Sequence, residues 1–254
     1  SLANNELSGP ILAAFLYRRL ARLSQRRLTF RFVLAPETVG AIAYLHLRGD
    51  WLKSHTIAGY VATCVGGPSG LTYKRSRDAP TLADRAAEHV LGTTVAAETV
   101  KPRVLEYVPT GSDERQYGSP GYRLPVGSLM RTMYGTYPEY HTSLDDKEFV
   151  RLENVQKTLD AYEAVCLTLD RNGTYLNTRP YGEPQLGRRG LYTDITVADG
   201  NVGVADALFW TLNLSDGDND LLGIAERSGL TFDAVRRSAD LLESAGLLRR
   251  LDDP

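Results

Sequence analysis

Cysteine is scarce in this sequence: Cys64 and Cys166 are the only two in 254 residues. That excludes a disulfide framework and any cysteine-rich metal knuckle. Both sit in apolar surroundings (Val-Ala-Thr-Cys-Val and Glu-Ala-Val-Cys-Leu), which suits buried free thiols in a reducing compartment, so a cytoplasmic protein is expected. A charge excess is missing too. Lys and Arg total 29 against 31 Asp and Glu, a net charge of -2, which excludes a general attraction to nucleic acid or to an anionic membrane. No apolar run approaches the roughly 18 to 20 residues that span a bilayer, and the basic-then-apolar order of a signal peptide is absent. Internal repeats and low-complexity tracts are also lacking. The chain opens at Ser1 without an initiator Met and runs straight into a motif-like stretch, which reads as a truncated, processed or partly ordered N-terminus.

What is present is alternation of helix and strand patterns. Ile11, Leu12, Phe15, Leu16 and Leu20 recur at helical spacing and predict a helix over Leu7 to Arg22, with Ser8 as a cap. Arg27 to Ala35 alternates and then becomes wholly apolar, as a strand entering a buried sheet does, and Pro36 ends it. Glu37 opens the next helix. Ala58 to Val65, Arg103 to Val108 and Val126 to Met130 read as strands, and Leu82 to Leu91 and Glu153 to Leu169 as helices. Arg171 to Gly190, broken by Asn172-Gly173, Pro180 and Pro184, reads as an irregular linker. Beyond Asp199-Gly200-Asn201 come three short helical segments, Val204 to Leu212, Asp220 to Ser228 and Thr231 to Ala245. The expected fold is α/β, a mainly parallel sheet covered by helices over residues 1–190, with a small helical domain over 201–254.

Polar residues gather at strand ends, where open α/β sheets place their ligands. Asn4-Asn5-Glu6, Glu37, Asp113-Glu114-Arg115 and Tyr140-His141 offer oxygen or imidazole donors of the kind zinc takes, and carboxylates able to act as a general base. Each also has a plain structural use. Glu37 suits a first-turn acid at a helix dipole, the asparagines suit caps, Asp113 suits an Asx-turn, and His141 suits packing among tyrosines. His46, His55 and His89 fall in or just after helices and read as surface or structural residues.

Four motifs resolve these alternatives by resemblance. Asn5-Glu6-Leu7-Ser8-Gly9 resembles the Asp-x-x-Ser-Gly of the M28-type zinc aminopeptidases, and Pro36-Glu37-Thr38-Val39-Gly40 resembles their Glu-Glu-x-Gly. Ser112-Asp113 and Tyr140-His141-Thr142-Ser143-Leu144-Asp145 are similar to their later Ser-Asp and Tyr-His-Thr-x-x-Asp. With Pro184-Gln-Leu-Gly187 and the tail, the whole chain most resembles the bacterial aminopeptidase-like family described as DUF4910 with a C-terminal helix-turn-helix. The resemblance implies a zinc-exopeptidase-like fold, Glu37 as general base, Asp113 orienting the base or the substrate amine, and His141 as a metal ligand. It places Asn5 where the metal-bridging Asp stands, Thr38 where a ligand Glu stands, Cys64 near the usual ligand Asp, and the first ligand His before Ser1. One zinc per chain is therefore expected rather than two, with ligands rearranged to include Glu6, Glu37 or Asp113, and a metal-free scaffold is the alternative. Arg115, Tyr134 and Tyr140 are the expected contacts to a small peptide or amide substrate. The zinc would activate a water whose proton Glu37 takes and passes to the leaving amine.

The tail from Leu221 to Leu248 looks like a winged helix-turn-helix, which raises a DNA-binding regulator as a competing reading. Residues 201–254 hold ten acidic residues against five arginines. Duplex binding needs several cationic phosphate contacts, so packing or dimerisation, hence a homo-oligomer, is expected in place of DNA. The missing N-terminal part of the same protein is the other expected partner.

Overall fold

The computed structural model describes residues 2–93, 99–191 and 202–251, and for 202–205 the backbone only. It divides into two compact units, Ser1–Leu167 and Thr168–Pro254. The Asp199-Gly200-Asn201 turn lies outside the described residues.

The first unit starts with one π-helical turn, Ala3–Leu7, running into α1 (Ser8–Leu20). Leu12, Leu16 and Leu20, four apart, form the buried stripe of α1. Ser8 does not cap it as expected; its hydroxyl instead donates to the Asn4 carbonyl and accepts from the Val65 N–H, tying α1 to the segment after β1. Gly9 is needed here because a Cβ would collide with the carbonyl of Ala62. α2 (Val39–His55) follows, then β1 (Gly59–Val61), β2 (Thr72–Lys74), α3 (Leu82–Thr93), β3 (Arg103–Leu105), the single turn α4 (Glu114–Tyr117), β4 (Val126–Met130) and α5 (Leu152–Arg171).

The sheet order is β1-β4-β2-β3. β1 runs parallel to β4 and β2 parallel to β3, while β2 and β4 are antiparallel, so the sheet is mixed and mostly parallel as expected. β4 is buried along its whole length, which its apolar run Val-Gly-Ser-Leu-Met requires. Gly127 in it leaves room for the Tyr73 ring crossing from β2. The Tyr73 hydroxyl in turn donates to Asp84 at 2.8 Å, a carboxylate that also accepts from the backbone and hydroxyls of Ser76 and Thr81. Burial opposes its charge, yet those donors hold it below the ordinary carboxylate range and fix the start of α3. Cys64 and Cys166 are buried free thiols.

β2 has no counterpart among the strands expected from the sequence, and Arg27 to Ala35, expected as a buried strand, forms no ladder among the described residues.

The second unit contains β5 (Thr174–Asn177), α6 (Val202–Leu214), β6 (Asp216–Asp220), α7 (Leu221–Ser228), α8 (Phe232–Ser244) and β7 (Leu248–Arg250). The stretch expected as an irregular linker thus supplies β5, the central strand of the antiparallel sheet β6-β5-β7. α7 is capped by Asp220 accepting from the Gly223 N–H and closed by the left-handed Gly229; α8 is capped by Thr231. Leu221, Leu222, Ile224, Val235, Ala239 and Leu242 form its small core. Among the described residues no helix is long and apolar enough to cross a membrane.

Candidate functional site

The site is built around a strained turn. Thr38, at the entry to α2, has φ 62° and ψ -68°, a conformation that a β-branched residue adopts only under constraint. Two side chains from the α4 loop hold it. Asp113 Oδ1 accepts from the Thr38 N–H at 2.8 Å, and Arg115 Nη2 donates to the Thr38 hydroxyl at 3.4 Å. Glu37, exposed, immediately precedes this turn in the chain. α2 itself begins at Val39 and has no acid in its first turn, so Glu37 does not serve as the first-turn acid of that helix.

The charge of Glu37 also contributes to shifts at other predicted residues. Burial raises the Asp113 carboxyl above its ordinary range; the Thr38 N–H opposes this, and the negative charges of Glu37 and Glu114 reinforce it. Tyr140 is raised by burial and then by Cys64 and Glu37. The Cys64 thiol is raised by burial, against hydrogen bonds from Tyr137 and Thr63, with Asp145 and Glu37 pushing the same way. Glu37 is therefore felt at Asp113, Tyr140 and Cys64 alike. Cys64 has a positive φ of 51° and His141 one of 59°. Of four non-glycine positive φ values among the described residues, two, at Thr38 and His141, fall on the sequence motifs and a third is at Cys64, a pattern of strain kept where geometry matters for function.

Asn5 lies at the floor of this region. Its N–H donates to Asp145 Oδ2 at 3.1 Å and its side-chain oxygen lies 3.6 Å from the Cys64 sulfur. Asp145, buried, also accepts from the Asn4 N–H at 2.6 Å and from the Tyr137 hydroxyl at 3.3 Å. It therefore ties the Tyr140-His141 loop to the start of the chain. His141 itself is exposed and stacks on Tyr140 with ring centroids 3.9 Å apart. Glu6 is exposed and accepts from the Leu2 N–H, the plain capping use.

A buried ion pair, of which the sequence offered Glu114 only as one of a candidate donor group and Lys74 not at all, underlies the arrangement. Lys74 at the end of β2 and Glu114 at the start of α4 are both buried and pair at 2.7 Å. Glu114 also accepts from Ser128 at 2.8 Å, and Lys74 donates to the Thr110 carbonyl. The pair anchors the start of α4, where Asp113 and Arg115 stand on either side of Glu114, to β2 and β4. Its signal in the sequence is faint: a lysine in a short apolar run and a glutamate forty positions later.

Zinc needs three or four donors within about 2 to 2.3 Å of one point. Among the described residues no three of His, Cys, Asp and Glu are grouped to hold a metal ion. No such group includes Glu37, Asp113 or His141, so the described donors do not fit zinc by themselves. An open groove of about 810 Å³ in the second unit, lined by Thr178, Arg179 and Arg188, contains none of the candidate residues.

A mixed, mostly parallel sheet with this strained turn at the head of α2 defines an aminopeptidase-like α/β fold, here carrying a winged helix. The chain belongs to the family described as a domain of unknown function, DUF4910, whose model matches residues 1–172, and residues 173–250 match a winged helix-turn-helix. It is similar to a Clostridium acetobutylicum protein named provisionally for polysaccharide biosynthesis and for an aminopeptidase-like domain, at 41% identity over 98% of this chain and 56% of that protein. A crystal structure from the same organism, described provisionally as a peptidase, superposes with a TM-score of 0.88 at 38% identity, over 99% of this chain and 55% of that one. BSAP, a zinc aminopeptidase of Bacillus subtilis, shares the fold with a TM-score of 0.55 at 16% identity, over 66% of this chain and 42% of its own. The chain spans a little over half the length of the first two relatives.

Proposed function

We propose that this chain carries the general-base side of an aminopeptidase-like hydrolase that cleaves a peptide or small amide bond. The observation behind the reading is the clamp: Asp113 and Arg115 hold Thr38 in a strained turn directly after the carboxylate residue Glu37. Glu37 accepts the proton of the attacking water and returns it to the leaving amine. Asp113, raised by burial, stays available to orient that amine, while Arg115 and Tyr140 meet the substrate. Zinc enters this reading only as a group whose remaining ligands lie outside the described residues.

The test is turnover of amino-acid amides and dipeptides. Glu37→Gln keeps shape and hydrogen-bonding reach but cannot take the proton, so a fall of about 10² to 10⁴ in kcat is expected with the fold intact. Arg115→Ala should raise KM by roughly tenfold, the loss of one charge-assisted contact. Full activity in Glu37→Gln would remove Glu37 from the chemistry. A specific observation favours a second reading, a scaffold without activity: Asn5 and Thr38 replace carboxylates, and both are occupied by internal hydrogen bonds. No turnover by the wild-type protein at any zinc loading would support it.

A further inference from the structure

Residues Arg27–Ala35 have the sequence of a strand buried in a parallel sheet, and their surroundings in the fold are those of such a strand with its neighbours removed. Successive residues point to opposite sides. Phe32 packs edge-on against Tyr17 of α1 at 5.7 Å, and Arg31 lies over the Trp51 ring of α2 at 4.5 Å. Both faces thus meet helices, as in a doubly covered sheet. The edges are bare. Among the described residues no backbone hydrogen bond runs to Thr29–Ala35, and Val33 and Leu34 are 42% and 72% exposed. An apolar segment between two helices with its N–H and C=O groups unpaired is a template for another strand. The apolar exposure continues onto Phe15 and Tyr17 of α1 and Val39 of α2.

We infer that Thr29–Ala35 is an interior strand that pairs edge-on with an extended, apolar segment of the same polypeptide, supplied by the portion corresponding to the length of the relatives that this chain does not match. Three observations select this occupant. This chain is matched over 98% of its length, while 56% of the Clostridium protein is accounted for, so the relatives have ample further polypeptide. The bare groups are backbone, which a strand satisfies and a helix or a small ligand does not. The run Phe-Val-Leu-Ala belongs to a strand paired on both edges, since exposed edge strands carry charge or proline to discourage pairing. The pairing also bears on Glu37, because Ala35 leads through Pro36 directly into the strained turn, and ordering the strand would fix the approach to that carboxylate.

Amide hydrogen exchange resolved to Thr29–Ala35 tests this without reference to activity. It is measured on the 254-residue chain at two concentrations and on the complete polypeptide of its gene. Fast exchange in the 254-residue chain and exchange at least about 100-fold slower in the complete polypeptide, as for an amide moving from an open to a cooperatively paired segment, is the expected result. Protection in the 254-residue chain that is independent of concentration would place the partner within it, at the free edge of β1, and overturn the inference. Protection that rises with concentration would make the partner a second copy and overturn it too, as would fast exchange in both proteins.

Discussion

At the scale of single residues, the site rests on opposed preferences. Thr38 occupies a backbone region that costs on the order of 1–3 kcal/mol, and two polar side chains hold it there. Asp113 is half-buried beside Glu37 and Glu114, so its charged form is disfavoured and its carboxyl is raised. A group raised in the folded state contributes stability below its unfolded pKa and loses it as pH rises through the folded value. Asp113→Asn removes this penalty while its side-chain oxygen still accepts from Thr38. The variant should therefore melt higher than wild type near neutral pH, with the difference shrinking as pH falls through the raised folded pKa and vanishing only below the unfolded value of about 3.9, where Asp113 is protonated in both states. Melting curves from pH 4 to 7 check this; a variant less stable at neutral pH would mean that the ionised carboxylate is itself a stabilising partner of Arg115. Lys74 and Glu114 carry the opposite risk, since either charge left alone in the interior is expensive, and their mutual pairing fixes where Asp113 and Arg115 stand.

At the scale of elements, legibility followed the source of the signal. α3, α5 and β4 were readable because their periodicity or unbroken apolar run is local, and β4 lies at Val126–Met130 as expected. β2 was not, because three residues ending in Lys74 look like no strand, and that lysine is tolerable only through Glu114. β5 was hidden by Asn172-Gly173 and the prolines beyond it, although it is the central strand of the winged helix. Asn5 lies against Cys64, and the charge of Glu37 is felt at Asp113, Tyr140 and Cys64, whereas His141 sits exposed against Tyr140, where no sequence signal fixes its orientation. In α8, which would enter a DNA groove, Arg236 pairs with Asp240 and Arg237 with Asp233, each at i,i+4. With its cations neutralised on their own helix, the protein should bind a 20-base-pair duplex no tighter than the roughly 10⁻⁶ M of non-specific association at physiological salt. Fluorescence anisotropy reading a tighter, strongly salt-dependent affinity would restore the regulator hypothesis.

At the scale of the whole molecule, base and ligands separate. The described residues bring together Glu37, Asp113 and Arg115, which suit proton transfer and substrate orientation, but no three metal-binding side chains. A structural or catalytic zinc needs at least three protein ligands, deprotonated and convergent, and affinity falls steeply when one is missing. Asn5 offers only a neutral amide oxygen already near Cys64, and the Cys64 thiol, raised by burial, is reluctant to become the thiolate that zinc takes. The 254-residue protein purified and dialysed against zinc-free buffer should therefore contain far less than one zinc per chain by plasma mass spectrometry, and added zinc should not raise its melting temperature at micromolar concentration. The complete polypeptide, if it brings the remaining ligands, should retain the ion through the same dialysis. One tightly held zinc in the 254-residue chain alone would show that Glu37, Asp113 and His141 converge on binding, and would move Glu37 from base to ligand.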